Sequence, residues 1–390
     1  MPASESSSPG RRKGVGAKLA LALASTVLTL LAAEFVARSV FPHVVPAPVT
    51  GGDMVEWRRV FHQSPTGKRL IPNSHVIIRN QLGTHRKIEL EINALGFRDD
   101  PLPIPKPEGE IRILALGDSI TFAAHLPADQ SYVERLQHHL NRGSRDVNYE
   151  VINAGIGDIG ITTEVNILER PGLSTEPDVV LVGFYLNDSR PPWGFPNELV
   201  NPGWLRRHSV LADTIYRRLK LNRWIERQGE SRFAWVEAVP QLAWRDDKDA
   251  FLSLARLAKY DWGAAWQEES WKIVDREFAR IEKMSEENGF RVLLVAFPVS
   301  YQLHASFLED TPQQILRQKA AELDWDFYDL LPRFRELETE LIRTGANRRV
   351  LIDSCHPTAE TFDEVGRLLA THLRERVLPD AARPRRGSQH

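Results

Sequence analysis

The first strong pattern from the amino terminus is an unbroken apolar run. No charged residue falls between Leu19 and Ala33, and with Glu34 near its far edge the run continues to Ala37. At about 1.5 Å per residue a helix of this length covers roughly 30 Å, the thickness of a hydrocarbon core. Apolar residues occupy all its faces, so a transmembrane helix over 17–39 is expected in place of an amphipathic core helix. Ala22-Leu23-Ala24 lies too early in the run to serve as a signal-peptide cleavage site, which favours an uncleaved signal-anchor. Residues 1–16 are rich in Ser, Pro and Gly and carry Arg11-Arg12-Lys13, a disordered basic flank that Lys18 extends. The positive-inside rule then keeps the amino terminus cytoplasmic and puts the bulk of the chain in the periplasmic or extracellular space.

Beyond a stiff spacer, Pro42 to Pro48, the period changes to two. His75-Val76-Ile77-Ile78 and Lys87 to Ile92 alternate as strands, making 40–110 a linker and small strand-rich region. A different rhythm follows. Short apolar runs at Ile111–Leu116, Tyr149–Ile152, Asp178–Val182 and Phe290–Phe297 read as buried strands. Between and after them lie helical spacings at Tyr132–Leu140, from about Thr162, at Pro312–Leu323 and at Thr358–His372. Alternating strands and helices predict an α/β fold over 111–380, with a doubly wound, mostly parallel sheet. The alternation fails over about 189–271, where eight of ten tryptophans fall: Trp193, Trp204, Trp224, Trp235, Trp244, Trp262, Trp266 and Trp271. That is a helical insertion, either a subdomain packed on its own indoles or a cap over the site. Residues 381–390 read as a disordered tail.

Composition narrows the chemistry. Fifty Lys and Arg against 52 Asp and Glu leave a net charge of -2, which removes the bulk electrostatic case for nucleic acid. One cysteine, Cys355, excludes a disulfide framework and a zinc site of paired thiolates. Neither a metal nor a cofactor is expected. Gly117-Asp118-Ser119 ends the first parallel strand, where ligand sites of open α/β sheets lie, and a serine there suits a nucleophile. Taken alone it is also an ordinary turn with a capping serine. Asp353-Ser354-Cys355-His356-Pro357 holds a carboxylate three residues before an imidazole, the pairing that turns a serine hydroxyl into a nucleophile. Asn187, beside Asp188, and the turn Asn153-Ala154-Gly155-Ile156-Gly157 each follow a strand and offer N–H donors to an oxyanion.

Gly155-Ile156-Gly157-Asp158-Ile159-Gly160 has the form of a dinucleotide-binding turn. That reading wants an acidic residue ending the next strand, and Asp178 begins it instead.

The four elements, in this order, resemble the SGNH or GDSL hydrolase family of esterases and lipases. The stretches Asn93-Ala94-Leu95-Gly96-Phe97-Arg98 and Gly117-Asp118-Ser119-Ile120-Thr121-Phe122 look like those of its bacterial membrane-anchored members. The resemblance implies a flavodoxin-like three-layer fold. It implies a triad of Ser119, Asp353 and His356, and an oxyanion hole of Ser119, Gly157 and Asn187. Two departures stand out. Three residues separate Gly183 from Asn187 where the family usually has one, and Asp158 can be aligned to the donor position in place of Gly157. The expected function is a serine esterase or acyl hydrolase acting on an ester-bearing small molecule, lipid or acylated glycan. The runner-up is an O-acyltransferase acting on an envelope polysaccharide; a glycan-binding protein without catalysis is more remote.

Overall fold

The computed structural model describes residues 10–40, 60–64, 66–79, 82, 86–144, 147–190, 209–218 and 234–378. Residues 1–9, the Pro42–Pro48 spacer, the tail 381–390, and Trp193, Trp204 and Trp224 lie outside the described residues. The chain divides into two compact units, Met1–Val44 with Asn201–Trp224, and Val45–Val200 with Ile225–His390.

The first unit holds α1 (Gly10–Val40) and α4 (Val210–Arg218). Within α1, the 24 residues Gly16–Ser39 are long and apolar enough to cross a membrane, with a mean hydropathy of 2.1 over their most apolar 18 residues and with Leu21, Leu28 and Phe35 exposed. The helix starts at Gly10, so Arg11, Arg12 and Lys13, expected in a disordered flank, form its first turns. Arg and Lys are good helix formers, and the apolar segment behind them has already nucleated the helix.

The second unit is built on five parallel strands, β5 (Glu110–Gly117), β6 (Asn148–Asn153), β7 (Val179–Tyr185), β8 (Arg291–Phe297) and β9 (Asp326–Asp329), in the order β6-β5-β7-β8-β9. All seven residues of β7 are buried, which is why its sequence is continuously apolar: parallel strands are covered on both faces. Each such Val or Leu contributes about 1.5–3 kcal/mol. The edge strand β9, Asp-Phe-Tyr-Asp, is half-buried, and its weaker apolar signal was not singled out in the sequence.

The connecting helices are α2 (Tyr132–Asn141), α3 (Ile161–Glu169), α6 (Glu268–Asn288) and α7 (Thr311–Glu322), followed by α8 (Leu331–Thr344) and α9 (Ala359–His372). From β5 the chain steps to β6, then back across β5 to β7. Right-handed crossovers therefore put α2 on one face and α3, α6 and α7 on the other. In agreement, α9 packs on α2 and α6 on α3. The fold is thus α/β, doubly wound and three-layered, with its order reversal between β5 and β7, where the outward ends of the strands leave a crevice.

Two antiparallel hairpins precede the sheet: β1 (Phe61–Ser64) with β2 (Gly67–Leu70), and β3 (His75–Arg79) with β4 (Lys87–Glu91). The insertion includes α5 (Lys248–Leu257). Trp235 and Trp266 meet Trp262 edge-on, and Phe251 packs on both Trp262 and Trp266. Trp271 instead lies on α6 and stacks on Phe184 of β7, so it belongs to a layer of the sheet rather than to the insertion.

Candidate active site

β5 ends at Gly117, opposite Gly183 of β7. A side chain would not fit at Gly117: its Cβ would stand 2.2 Å from Thr121 Oγ1 and 2.9 Å from the Gly183 carbonyl, at a φ of +153°. The space lets Thr121 and Tyr132 hydrogen-bond each other at 2.9 Å. Asp118 caps the single helical turn Ser119–Phe122, accepting the Ile120 N–H at 2.9 Å, so the capping role expected of Ser119 falls to its neighbour. Ser119 Oγ is left for other partners.

Its nearest is His356. Ser119 Oγ lies 2.9 Å from His356 Nε2, while His356 Nδ1 lies 2.8 Å from Asp353 Oδ2. With the hydroxyl donating to Nε2, Nδ1 carries the proton and donates to the carboxylate. Asp353 also accepts the backbone N–H groups of Cys355 and His356, both at 2.9 Å. Thr358 caps α9 directly behind this loop, and Leu351 and Pro357 bridge its two ends.

Burial works against a charge on His356, but Cys355 and the Asp353 carboxylate beside it hold the imidazole well above its ordinary value. Burial likewise opposes the Asp353 charge, yet His356 and the backbone donors keep its carboxyl well below the usual range. The Cys355 sulfur is 3.3 Å from His356 Nδ1, and burial pushes its thiol up to about 11. Asp353, Cys355 and His356 could each offer one ligand atom to a metal ion. As they stand, however, the imidazole and carboxylate are engaged with each other.

Gly157 lies against the Ser119 turn: a Cβ there would be 3.9 Å from Ser119 Cβ. Asp158, the other candidate for that position, has its carboxylate 3.5 Å from Arg190. Asn187 sits on the 3-10 turn Leu186–Ser189 that follows β7, because the strand runs two residues past Gly183 before turning; this accounts for the wider Gly–Asn spacing. It is 6% exposed and lies near the Asp118 carboxyl, which burial pushes up. Its amide carries two N–H groups that can donate to an acceptor.

Three residues to which the sequence assigned no role shape this arrangement. Arg98, 3% exposed, donates to the carbonyls of Phe122 and Ala123 at 2.7 and 2.8 Å and of Leu126 at 2.7 Å, satisfying the end of the Ser119 turn. Its position follows from Asn93, whose side-chain oxygen accepts the Leu95 and Phe97 N–H groups and folds the stretch Asn93–Arg98 into a tight loop. The quoted motif held this signal. His125, buried, lies 3.0 Å through Nε2 from the Pro357 carbonyl; its ring meets His356 edge-on at 5.3 Å, and burial pushes it down to about 3. A carbonyl only accepts, so the neutral ring donates from Nε2. Lys68 of β2 donates to the Gly157 carbonyl and reaches across the Phe61 ring. Asn153 joins the turns themselves, donating to Thr121 O at 2.9 Å while accepting from Gly155 N at 3.1 Å. The insertion reaches the base loop too: Tyr301 stacks on Trp262, and the adjacent Ser300 N–H donates to Ser354 O at 2.8 Å.

No family model matches the chain, and no curated protein does. Among solved structures it is similar to a gut microbial diltiazem-metabolizing enzyme, at 17% identity over 68% of this chain and 47% of that one, with a TM-score of 0.41. An acetyl xylan esterase is similar at 19% identity over 68% of this chain and 100% of that one, TM-score 0.37. So is a two-domain esterase active on acetylated mannans, at 16% over 68% and 48%, TM-score 0.37. The chain spans about half the length of the first and the third.

Proposed function

We propose that the protein is a serine ester hydrolase of the SGNH type, fixed in a membrane by α1, with its catalytic unit on the outer side. The observation that carries this reading is the hydrogen-bonded chain Ser119 Oγ, His356 Nε2, His356 Nδ1, Asp353 Oδ2, at 2.9 and 2.8 Å. Ser119 Oγ attacks the acyl carbon as its proton passes to His356 Nε2, and Asp353 stabilises the imidazolium. The backbone N–H groups of Ser119 and Gly157 and the side-chain amide N–H of Asn187 receive the oxyanion. His356 returns the proton to the departing alkoxide. Water, deprotonated by the same imidazole, then releases the acid from the acyl-serine. The substrate is a carboxylic ester, borne by a lipid or an acylated glycan. The basic residues ahead of the apolar segment support the orientation.

The test is a panel of p-nitrophenyl esters of increasing acyl length, with acetylated oligosaccharides, offered to the full-length protein in detergent. Acid release that disappears in Ser119→Ala is expected. Absence of release from every member, or release that survives the substitution, would overturn the reading.

A further inference from the structure

Glu34 is an acidic residue inside the segment able to span a membrane, and such residues are costly unless partnered. Its partners come from far along the chain. Glu34 accepts the Ser209 hydroxyl at 2.7 Å and the backbone N–H groups of Val210 at 2.9 Å and Leu211 at 3.0 Å. Ser209 in turn accepts the Ala212 N–H at 3.0 Å. Three N–H groups at the start of α4 that have no partner within their own helix are thus satisfied by one carboxylate and one hydroxyl. Arg38, one turn further along α1, pairs with the same carboxylate at 2.8 Å.

Packing gives a second, independent indication. Most of α1 is exposed, yet Ala33 and Glu34 are half-buried and Ala37 is 3% exposed, on one stripe of the helix. Ala33 and Ala37 have the small-xxx-small spacing that lets helices approach closely in lipid, and α4 is the helix that packs on α1. Val210, at its start, is 6% exposed.

We propose that α4 is a second fastening of the chain to its own membrane anchor, locked by Glu34, and that it holds the enzyme to esters presented at the membrane surface. The substrate half of this proposal rests on the esterase reading above; the fastening does not. The chain leaves the site at Arg190, three residues after Asn187, and reaches Ser209 nineteen residues later. Fully extended, that stretch covers at most roughly 65 Å. The catalytic unit is therefore joined to α1 twice, directly through residues 41–59 and through the Glu34–α4 contact. A site held on two short connections meets a surface-borne ester at a higher effective concentration than one on a single linker.

The experiment uses full-length protein in vesicles of phosphatidylethanolamine and phosphatidylglycerol, with a protease site inserted between Pro46 and Ala47. After cutting, the fragment that begins at Ala47 should stay with the vesicles in the wild type and be released in Glu34→Ala, with Glu34→Gln in between. Release of the wild-type fragment, or equal retention in Glu34→Ala, would overturn the fastening. In the uncut protein, hydrolysis of an acylated lipid in those vesicles should fall about tenfold in Glu34→Ala, with hydrolysis of a soluble p-nitrophenyl ester unchanged. An equal effect on both esters would remove the substrate half. A retained fragment that hydrolyses neither ester would leave the fastening intact and contradict the esterase reading instead.

Discussion

The two sides of the candidate site are anchored differently. Ser119 stands on a turn gripped from several parts of the chain: Asn153 takes the Thr121 carbonyl, Arg98 takes those of Phe122, Ala123 and Leu126 at its end and beyond it, and Gly117 and Gly155 are bare so that Thr121 and the turn's backbone fit against them. His356 stands on a loop that mostly binds itself. Asp353 holds two of its N–H groups, and among the described residues the hydrogen bonds that reach it from elsewhere, beside that of Ser119 itself, come from His125 at the Pro357 carbonyl and Ser300 at the Ser354 carbonyl. On the serine side the contacts that position Ser119, the proposed nucleophile, are also core contacts, so disturbing them costs stability. On the histidine side the contacts are few and lie close to the chemistry, so disturbing them changes rate first.

The sharpest way to break this contrast is Asp353→Asn. Turnover should fall about 10⁴-fold with the melting temperature nearly unchanged, because the imidazole loses its tautomer and its counter-charge. His356 acts as base only when neutral, and its pKa is raised, so kcat/KM of the wild type should decline as pH falls, starting above the ordinary imidazole value of about 6.5. Removing the carboxylate should move that limb to lower pH. A pH–rate profile that coincides with the wild type would detach Asp353 from the base.

Next in size is Asn187→Ala. Loss of an oxyanion donor should reduce kcat by about 10²–10³ with little change in KM. An effect confined to melting temperature would leave Asn187 as a turn residue that supports Asp118.

Arg98→Ala should act the other way. Three buried carbonyls lose their donors, so denaturant titration should show a loss of about 3 kcal/mol or more, while kcat per folded molecule stays within about tenfold of wild type. A large loss of kcat at unchanged stability would erase the contrast between the two sides. The smallest effect belongs to His125→Phe, which keeps the ring packing but not the bond to Pro357; kcat should fall about tenfold or less, and the one orphaned carbonyl should cost about 1 kcal/mol of stability. A stability loss as large as that of Arg98→Ala would show that the base loop is also part of the core.

How far the sequence reached follows the same division. Strands buried on both faces, such as Val179–Tyr185 and Arg291–Phe297, announce themselves as apolar runs, and the parallel sheet was legible from them. The edge strand Asp326–Asp329 was not, because a half-buried strand mixes polar and apolar positions; the helix Leu331–Thr344 was not singled out either, although Leu331, Phe334, Leu337 and Leu341 recur at helical spacing. Trp271 was read with the insertion because tryptophan density marks burial and not which core is filled. Ser119, Asp353, His356, Gly157 and Asn187 could be proposed from the sequence because the chemistry suggested for them depends on side-chain type or on the ends of strands. Arg98, His125 and Lys68 could not be given roles, since each acts on backbone carbonyls, which leave no mark in the sequence of the segment they hold. Glu34 was visible only as an exception in an apolar run; its partners lie 175 to 177 residues away.

The central claim is that Ser119 is a nucleophile activated by His356. It is tested most directly by treating full-length wild type and His356→Ala with a fluorophosphonate and locating the adduct by peptide mass mapping. The account predicts a single adduct on Ser119 in the wild type and a rate of labelling reduced by about 10³-fold or more in His356→Ala. An adduct on another serine, or equal labelling without the imidazole, would contradict it.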